Sequence, residues 1–380
     1  MLTRRSLLAS LALPLFAAEP HPAGPGITIN PLLPPGPGNP RNTEGAFVTL
    51  KDGRILFAYS RFTSGGDDDS AAEIVGRYSN DGGRTWTSTD VPIVAREGGQ
   101  NVMSVSFLRL HDGRIALFYA RKNSVGDCRP YLRYSSDEAR TWSDPILCTP
   151  DFSYFVLNND RAVQLRGGRI LLPVAQHTPV NGKFNLRGTV MLYFSDDAGR
   201  LWSRSRTVLE CPTSSVSGFQ EPGIVELKDG RLLMFIRTQM GSQYLSHSGD
   251  RGNTWSPAQP SEILSPLSPA SIKRIPTTGD LLMVWNDHSQ VDQAMRASET
   301  PGRSSGGRRT PLTVAVSRDE GRTWIHRHNV LSDPAGWYCY TAIHFAGSRV
   351  LLAFVAGGSG LPALRRTSLA WFDVKRLYRR

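Results

Sequence analysis

The chain alternates short apolar runs with polar turns, and one kind of turn recurs at nearly regular intervals. Each of six such turns opens an apolar run, for example Ile55-Leu56 after the first, as expected where a strand follows a hairpin. The six turns are Asp52-Gly53-Arg54, Asp112-Gly113-Arg114, Gly167-Gly168-Arg169, Asp229-Gly230-Arg231, Thr278-Gly279-Asp280 and Ser348-Arg349. Their first five glycines lie 49 to 62 residues apart, a period that suits a four-stranded propeller blade.

A second repeat, with the pattern Ser-x-Asp-x-Gly-x-Thr-Trp, runs in phase with the first and occurs five times. The copies span 79–86, 135–142, 195–202, 248–255 and 317–324. A short carboxylate caps turn amides, glycine adopts a positive φ and tryptophan packs back on the strands, so the pattern predicts a tight hairpin turn. We call this turn the Asp box, and we expect its aspartates to be structural.

The two repeats predict an all-β chain folded as a six-bladed β-propeller with Asp-box repeats. The last blade lacks the tryptophan turn, because the sixth copy of the first repeat has no Asp box after it. A repeat that spans nearly all of the 380 residues favours one closed ring over two domains. Because the hairpin turns at one end are uniform, the variable segments collect at the other end, where we expect the function.

The composition narrows the possible partners. A formal charge of +11 and a pI near 9.8 would suit a nucleic-acid-binding protein if the basic residues were clustered. The arginines are instead spread through the repeats, so we predict no nucleic-acid partner. An anionic substrate or a polyanionic glycan surface remains compatible with the charge.

The N-terminus resembles an export signal. Thr3-Arg4-Arg5-Ser6-Leu7-Leu8 precedes an apolar run that ends at Phe16, which fits a twin-arginine signal over residues 1–18. The run is too short to act as a permanent membrane anchor. We therefore predict a periplasmic or extracellular protein, with a proline-rich linker over residues 19–40 and the propeller over residues 41–380.

The four cysteines leave two interpretations open. Cys128 and Cys148 are symmetric about the second Asp box, so they could form a disulfide across two strands or remain buried free thiols. Cys211 and Cys339 have no evident partner in the sequence. No cysteine or histidine has metal-ligand spacing, and we expect no cofactor.

The variable segments carry many polar and charged side chains. Alone, each is best interpreted as a solvated loop residue, but the loops of a propeller meet over one central depression, where distant residues can face a single substrate. The candidates from these segments are Arg41, Glu44, Arg61, Asp67, Asp69, Arg121, Asp160, Arg161, Glu221, Arg237, His288, Arg309 and Tyr340.

Over residues 41 to 375 the chain resembles the sialidase (neuraminidase) superfamily of glycoside hydrolases, whose six-bladed propeller carries Asp boxes. The segment from Glu221-Pro222-Gly223 to Arg237 resembles the sialidase segment that joins the glutamate partner of the nucleophile to an arginine of the carboxylate-binding triad. Arg309 resembles another arginine of that triad, and Tyr340-Thr341-Ala342-Ile343 resembles the segment of the nucleophilic tyrosine.

The resemblance implies a role for each of these residues. Tyr340 would be the nucleophile and Glu221 its base, while Arg237 and Arg309 would bind the substrate carboxylate. Arg61 and the cluster Asp67-Asp68-Asp69 resemble the segment of the acid/base aspartate, with Asp69 favoured over Asp67 and Asp68. A neutral phenol avoids the charge repulsion that a carboxylate nucleophile would meet at an anomeric carbon bearing a carboxylate.

One departure from the family pattern affects the expected substrate. Sialidases place Arg-Ile-Pro where this chain has Asn42-Thr43-Glu44, and Arg41 lies one position early. Either Arg41 completes the arginine cluster, or Glu44 occupies that corner and the pocket prefers another sugar.

Three hypotheses follow. The first is a retaining exo-glycosidase acting on terminal sialic acid or a related acidic sugar. The second is a sialidase-fold glycosidase for a different sugar, and the third is a non-catalytic propeller that binds a glycan. A Tyr340 hydroxyl beyond hydrogen-bond reach of Glu221 would favour the third.

Overall fold

The computed structural model describes residues 23–291, 308–358 and 361–379. Within these ranges the chain forms 25 strands and one short 3₁₀ helix, Val374–Tyr378. None of the described helical residues forms a helix that is long and apolar enough to cross a membrane. The predicted export signal, residues 1–18, lies outside the described residues.

The strands form six blades, which confirms the predicted propeller. The first blade comprises β2 (Arg41–Thr49), β3 (Ile55–Phe62), β4 (Ala72–Ser79) and β5 (Val91–Val94); the second, β6 (Asn101–Arg109), β7 (Ile115–Ser124), β8 (Asp127–Ser135) and β9 (Ile146–Leu147). The third comprises β10 (Tyr154–Val156), β11 (Val163–Gln164), β12 (Ile170–His177), β13 (Gly188–Ser195) and β14 (Ser203–Arg204); the fourth, β15 (Gln220–Glu226), β16 (Leu232–Arg237), β17 (Ser242–Ser248) and β18 (Gln259–Leu264). The fifth comprises β19 (Ser271–Arg274), β20 (Leu281–Trp285), β21 (Leu312–Ser317) and β22 (Ile325–Leu331); the sixth, β23 (Trp337–Ala346), β24 (Arg349–Gly358), β25 (Leu361–Asp373) and β1 (Thr28–Leu33).

Strand β1 corrects the predicted linker over residues 19–40. It pairs antiparallel with β25, with Thr28 opposite Trp371 and Asn30 opposite Leu369, so the start of the described chain completes the last blade. Leu33 is buried among side chains of the first and sixth blades, and this burial explains why the segment is a strand and not a solvated linker. The pairing also covers the edge that β25 would otherwise expose.

The apolar core is divided among the junctions of the ring. Six buried clusters in the described part of the chain each combine side chains of two neighbouring blades, and together they cover all six junctions. The junction between the sixth and first blades is built like the others, with Leu351 and Ala353 packed near Phe47 and Phe57. Packing between blades therefore closes the ring.

The Asp boxes form the predicted turns. In the first copy the Asp81 carboxylate accepts hydrogen bonds from the backbone N–H of Thr85 at 2.9 Å and from its hydroxyl at 2.6 Å, and the Trp86 indole donates to the Gly83 carbonyl at 3.1 Å. Burial acts to raise the pKa of Asp81, but the hydrogen bonds from Thr85, Ser79 and the Arg84 backbone outweigh it and lower that pKa to about 2. Each Asp box joins the last two strands of its blade. The sixth blade needs none, because its fourth strand is β1.

The four cysteines are buried free thiols, which excludes the Cys128–Cys148 disulfide. The register explains the result, because β8 and β9 pair with Tyr131 opposite Leu147, and the Cys148 N–H donates to the Pro130 carbonyl at 3.0 Å. Cys128 lies two residues before Pro130 on β8, and it pairs with Tyr154 of β10. The two cysteines are therefore not opposite each other.

Candidate active site

The innermost strands of the first, second, fourth and sixth blades share an irregular pairing near their first residues. These strands are β2, β6, β15 and β23. The register shifts between Thr43 and Ala46, Met103 and Ser106, Gln220 and Gly223, and Cys339 and Ala342. The residues at these bulges, Glu44, Ser104, Glu221 and Tyr340, have φ of 54°, 63°, 43° and 55°. Positive φ is uncommon for residues with a side chain, and bulges of this kind often aim side chains into a site.

All four bulge residues line one pocket of about 170 Å³. The pocket has a polar side formed by these residues and an apolar side formed by the second and third blades. The other lining residues are Asp68, Met103, Ala120, Cys128, Tyr154, Val156, Leu157, Asn158, His177, Phe184, Leu186, Gln220 and Arg237. A concave site with an apolar wall and a few convergent polar groups is typical of a small-molecule site.

Tyr340, Glu221 and Arg237 form a hydrogen-bonded group in this pocket. The Tyr340 hydroxyl donates to Glu221 Oε1 at 3.2 Å, and Arg237 Nη1 lies 2.5 Å from Glu221 Oε2 and 3.5 Å from the Tyr340 oxygen. Burial and the Glu221 carboxylate raise the pKa of Tyr340, so the phenol is neutral near pH 7. The arrangement places a carboxylate within hydrogen-bond reach of a neutral phenol.

Arg309 packs behind the tyrosine. Its guanidinium lies 4.8 Å from the ring centre of Trp337 and 5.5 Å from that of Tyr340, and the residue is 5% exposed. Among the described residues, its Nε and Nη1 atoms are buried without a hydrogen-bond partner. Buried N–H donors are nearly always paired, so these two atoms are exceptions, although Arg309 is not among the residues that line the pocket.

Arg41 and Glu44 occupy the corner where the sequence departs from the sialidase pattern. Arg41 is buried and donates from Nη1 to Asp68 Oδ1 at 2.6 Å, and its Nη2 lies 3.5 Å from Glu44 Oε1. The Ser104 hydroxyl donates to Glu44 Oε2. Burial raises the pKa of Glu44 to about 7, although Arg41 and Ser104 oppose the shift. The sequence left a choice between Arg41 and Glu44, and the structure places both at the corner.

Among the three consecutive aspartates, Asp68 lines the pocket, whereas the sequence favoured Asp69. The Asp68 side chain is 65% exposed but pairs with Arg41, while Asp69 and Asp67 are exposed and do not line the pocket. Although the side chain is open to the pocket, desolvation by the surrounding walls acts to raise the pKa of Asp68, but Arg41 outweighs it and holds that pKa below its usual range.

Two predicted arginines lie away from the pocket. Arg61 contacts Glu73 at 2.5 Å and Asp90 at 3.1 Å within the first blade, because it lies on β3 directly opposite Glu73 of β4. Arg121 packs over the ring of Tyr131 at 5.3 Å. Its neighbour Lys122 projects to the other face of β7 and donates to the Asp68 carbonyl at 2.9 Å. Neither Arg61 nor Arg121 is placed to bind substrate in the pocket.

Three more predicted binding residues support the scaffold. Asp160 accepts from Lys273 at 2.6 Å and from the backbone N–H of Ile343 at 2.9 Å. Arg161 is buried and donates to the Ala270 carbonyl at 2.6 Å. His288 contacts the Arg308 carbonyl at 3.1 Å, one residue before Arg309. These contacts hold the inner strands and the Arg309 segment together.

Part of the pocket wall comes from residues outside the candidate set. His177 ends β12, its Nδ1 lies 2.9 Å from the Asn185 carbonyl, and its ring stacks on Phe184 with centres 5.0 Å apart. Burial lowers the pKa of His177, so the imidazole is neutral near pH 7. His177 and Gln220 lie in the variable segments but resembled ordinary loop residues there, whereas Ser104 and Tyr154 were missed. Ser104 had one usable signal, since it holds the same place in its blade as Glu44, Glu221 and Tyr340 in theirs.

The described residues offer no group of three or more histidines, cysteines or acids that could hold a metal ion.

The ring of six blades, the Asp boxes and the tyrosine, glutamate and arginine cluster define a six-bladed propeller of the sialidase superfamily. The sequence profile described as "BNR repeat-like domain" matches residues 53–350, so the chain belongs to that family.

Individual relatives agree with this assignment. A sialidase from Micromonospora viridifaciens is 27% identical over 372 residues, covering 84% of this chain and 53% of the relative. The chain spans about half the length of the curated relatives it matches first.

Two solved structures share the fold. A Dyadobacter fermentans DSM 18053 protein of unknown function has a TM-score of 0.70 and 17% identity, covering 92% of this chain and 100% of that protein. Trypanosoma rangeli sialidase in complex with 2,3-difluorosialic acid, titled a covalent intermediate, has a TM-score of 0.69 and 14% identity, covering 94% of this chain and 60% of the other.

Proposed function

We propose that this protein is a retaining exo-glycosidase of the sialidase type, which releases a terminal sialic acid or a related acidic sugar with Tyr340 as the nucleophile. The observation that carries the proposal is the hydrogen bond from the Tyr340 hydroxyl to Glu221 at 3.2 Å, with Arg237 beside both groups. A protein that only binds glycans has no need for a phenol paired with a base in its pocket.

In the first step the Tyr340 oxygen attacks the anomeric carbon while Glu221 accepts the phenolic proton. Asp68, in its protonated form, donates a proton to the glycosidic oxygen as the bond from that oxygen to the anomeric carbon breaks. The aglycone leaves as an alcohol, and the sugar is held as a tyrosyl glycoside.

In the second step the Asp68 carboxylate removes a proton from a water molecule as the water oxygen attacks the anomeric carbon. The bond to Tyr340 breaks, and Glu221 returns the proton to the phenolate oxygen. Two displacements at one carbon retain its configuration, and both acids return to their starting states.

The arginines provide the anion-binding side of the site. The buried Nε and Nη1 atoms of Arg309 would donate to the carboxylate on the anomeric carbon, with Arg237 as its neighbour. Arg41 is paired with Asp68 in the free protein. A substrate carboxylate that takes over Arg41 would release Asp68, raise its pKa and allow it to act as an acid.

A second candidate function is hydrolysis of a different, non-sialic sugar by the same residues. The observation that favours it is Glu44, a carboxyl group in the corner where the resemblance led us to expect an anion-binding arginine without an acid beside it. An ionised Glu44 would repel a substrate carboxylate and accept a hydroxyl group instead.

The test combines a substrate panel with a covalent trap. We expect turnover of an aryl sialoside in a panel of aryl glycosides, and we expect 2,3-difluorosialic acid to add one sugar to the Tyr340 peptide, detected by mass spectrometry. Tyr340→Phe should fold normally and take up no label. Turnover confined to neutral glycosides would support the second candidate, and a panel without any turnover or label would overturn the proposal of catalysis.

A further inference from the structure

Arg41, the arginine expected to complete the carboxylate-binding cluster, is shared by two acids. Its Nη1 donates to Asp68 at 2.6 Å and its Nη2 lies 3.5 Å from Glu44. Arg309, by contrast, contacts no carboxylate in the described residues and keeps two buried N–H groups without a partner. The unpaired N–H groups of Arg309 could therefore donate to an anion directly. Whether Arg41 can do so depends on whether Glu44 and Asp68 are ionised.

The charges at the Arg41 corner balance when both of its acids are ionised. Arg41 and the Lys122 ammonium, whose Nζ lies 2.9 Å from the Asp68 carbonyl, then stand beside the carboxylates of Glu44 and Asp68. A substrate carboxylate at this corner would make the local charge negative, which is unfavourable where the groups are shielded from water. If one of the two acids takes up a proton, the cations exceed the carboxylates by one charge and the anion is compensated.

Glu44 is the acid best placed to take up that proton. It is buried at a strained bulge with φ of 54°, and Ser104 holds its Oε2 atom while its Oε1 atom faces Arg41. Asp68 is more exposed and makes the short contact with Arg41, so it stays ionised in the free protein. Glu221 has Arg237 at 2.5 Å and must be ionised to accept the phenolic proton.

We infer that Glu44 is a specificity-determining residue that couples binding of an anionic sugar to the uptake of one proton. In its neutral form Glu44 releases Arg41 for the substrate carboxylate; in its charged form it competes with that carboxylate for Arg41. The inference rests on the proposed function, because it concerns the same pocket and an acidic sugar as its ligand.

The surroundings of Glu44 leave few other groups that could produce the same pH dependence. The titratable or charged groups around it come from nine segments: Arg41 on β2, Asp68 after β3, Lys122 on β7, Cys128 on β8, Tyr154 on β10, His177 on β12, Glu221 on β15, Arg237 on β16 and Tyr340 on β23. Burial raises the pKa of Cys128 to about 12 and that of Tyr154 further, and it lowers the pKa of His177. These three groups are therefore neutral near pH 7, whereas the pKa of Glu44, about 7, places its titration between pH 6 and 8.

The experiment measures binding without turnover. Isothermal titration calorimetry with 2,3-didehydro-2-deoxy-N-acetylneuraminic acid, an unreactive carboxylate sugar, is run at pH 6, 7 and 8 in buffers of different ionisation enthalpy. If the bound anion raises the Glu44 pKa by about one unit, Kd weakens about fivefold from pH 6 to pH 8, and about 0.4 proton is taken up per ligand at pH 7.

Three variants test whether the pH dependence of Kd arises from Glu44. Glu44→Gln should bind with a Kd that is nearly constant from pH 6 to 8, and it should lose the uptake of about 0.4 proton per ligand that Glu44 contributes at pH 7. Ser104→Ala removes a hydrogen bond that favours the charged carboxyl group, so it should shift the transition to higher pH. Glu73→Gln, the same substitution in the ion pair with Arg61 outside the pocket, should behave as the wild type.

The outcomes separate this inference from the proposed function. A pH-dependent Kd that Glu44→Gln abolishes and Ser104→Ala shifts supports the inference. Equal pH profiles in the wild type, Glu44→Gln and Ser104→Ala overturn it and leave the sialidase-type function intact. An absence of binding by the wild type and by Glu44→Gln at every pH overturns the acidic-sugar function, and the inference falls with it.

Discussion

The replacement Arg309→Lys tests whether the unpaired guanidinium atoms bind the substrate. Among the described residues Nε and Nη1 of Arg309 are buried without partners, so a substrate carboxylate could accept a hydrogen bond from either atom. Lysine keeps the charge but presents a single point donor in place of the fork. The loss of one charge-assisted hydrogen bond, about 1.5–3 kcal/mol, corresponds to about a 10- to 150-fold decrease in kcat/KM for a carboxylate substrate.

The assay compares kcat/KM for an aryl sialoside with that for whichever neutral aryl glycoside the enzyme also hydrolyses. Arg121→Lys is the matched control, because Arg121 packs over Tyr131 outside the pocket and its kcat/KM should stay within about threefold of the wild type. Circular dichroism and thermal unfolding check that both variants fold. If Arg309→Lys retains full activity on the sialoside, or loses the same factor on a neutral glycoside, Arg309 does not bind the carboxylate.

Two further predictions concern the acids of the pocket. Asp68→Asn should lower kcat about 10²- to 10⁴-fold for aryl sialosides with poor leaving groups and less for activated ones, whereas Asp69→Asn should change little; the reverse order would restore Asp69 as the acid/base. Glu44→Gln should gain stability relative to the wild type as pH rises, because the folded-state pKa of Glu44, about 7, lies above the ordinary value of 4.5. Folded wild-type protein therefore retains a proton that the unfolded chain has lost, and its stability falls between pH 4.5 and 7 by about 3 kcal/mol that the variant does not lose. Urea unfolding at pH 5 and pH 8 measures the difference, and parallel curves would contradict it.

The repeats made the fold predictable from the sequence. An Asp box depends on contacts within eight residues, as Asp81 with Thr85 and Trp86 shows, so its sequence alone determines the turn. Tyr340 and Glu221 could be proposed because each lies in a segment of family-specific sequence. Their contact, across 119 residues of chain, follows from ring closure.

Other features depend on contacts that the local sequence does not encode. Strand β1 forms because Leu33 meets side chains of both terminal blades, and its proline-rich surroundings gave no sign of that burial. Asp68 and Asp69 are adjacent residues of the same type, so the sequence alone does not separate their roles. The contact of Asp68 with Arg41 in the folded chain distinguishes them. Arg61 was predicted in the pocket, yet the register of its own blade places it against Glu73.

The bulges explain how the pocket can change its chemistry without changing the scaffold. A non-glycine residue at positive φ costs on the order of 1 kcal/mol, yet Glu44, Ser104, Glu221 and Tyr340 all adopt it at matching places in their blades. Packing within and between blades holds the inner strands; a Cβ on Gly45, for example, would lie 2.4 Å from the Phe57 ring. Because packing stabilises the backbone at each bulge, the side chain there is free to differ. A glutamate next to Arg41 is then a change of ligand chemistry at one bulge, and its effect on charge selection can be measured apart from the nucleophile and its base.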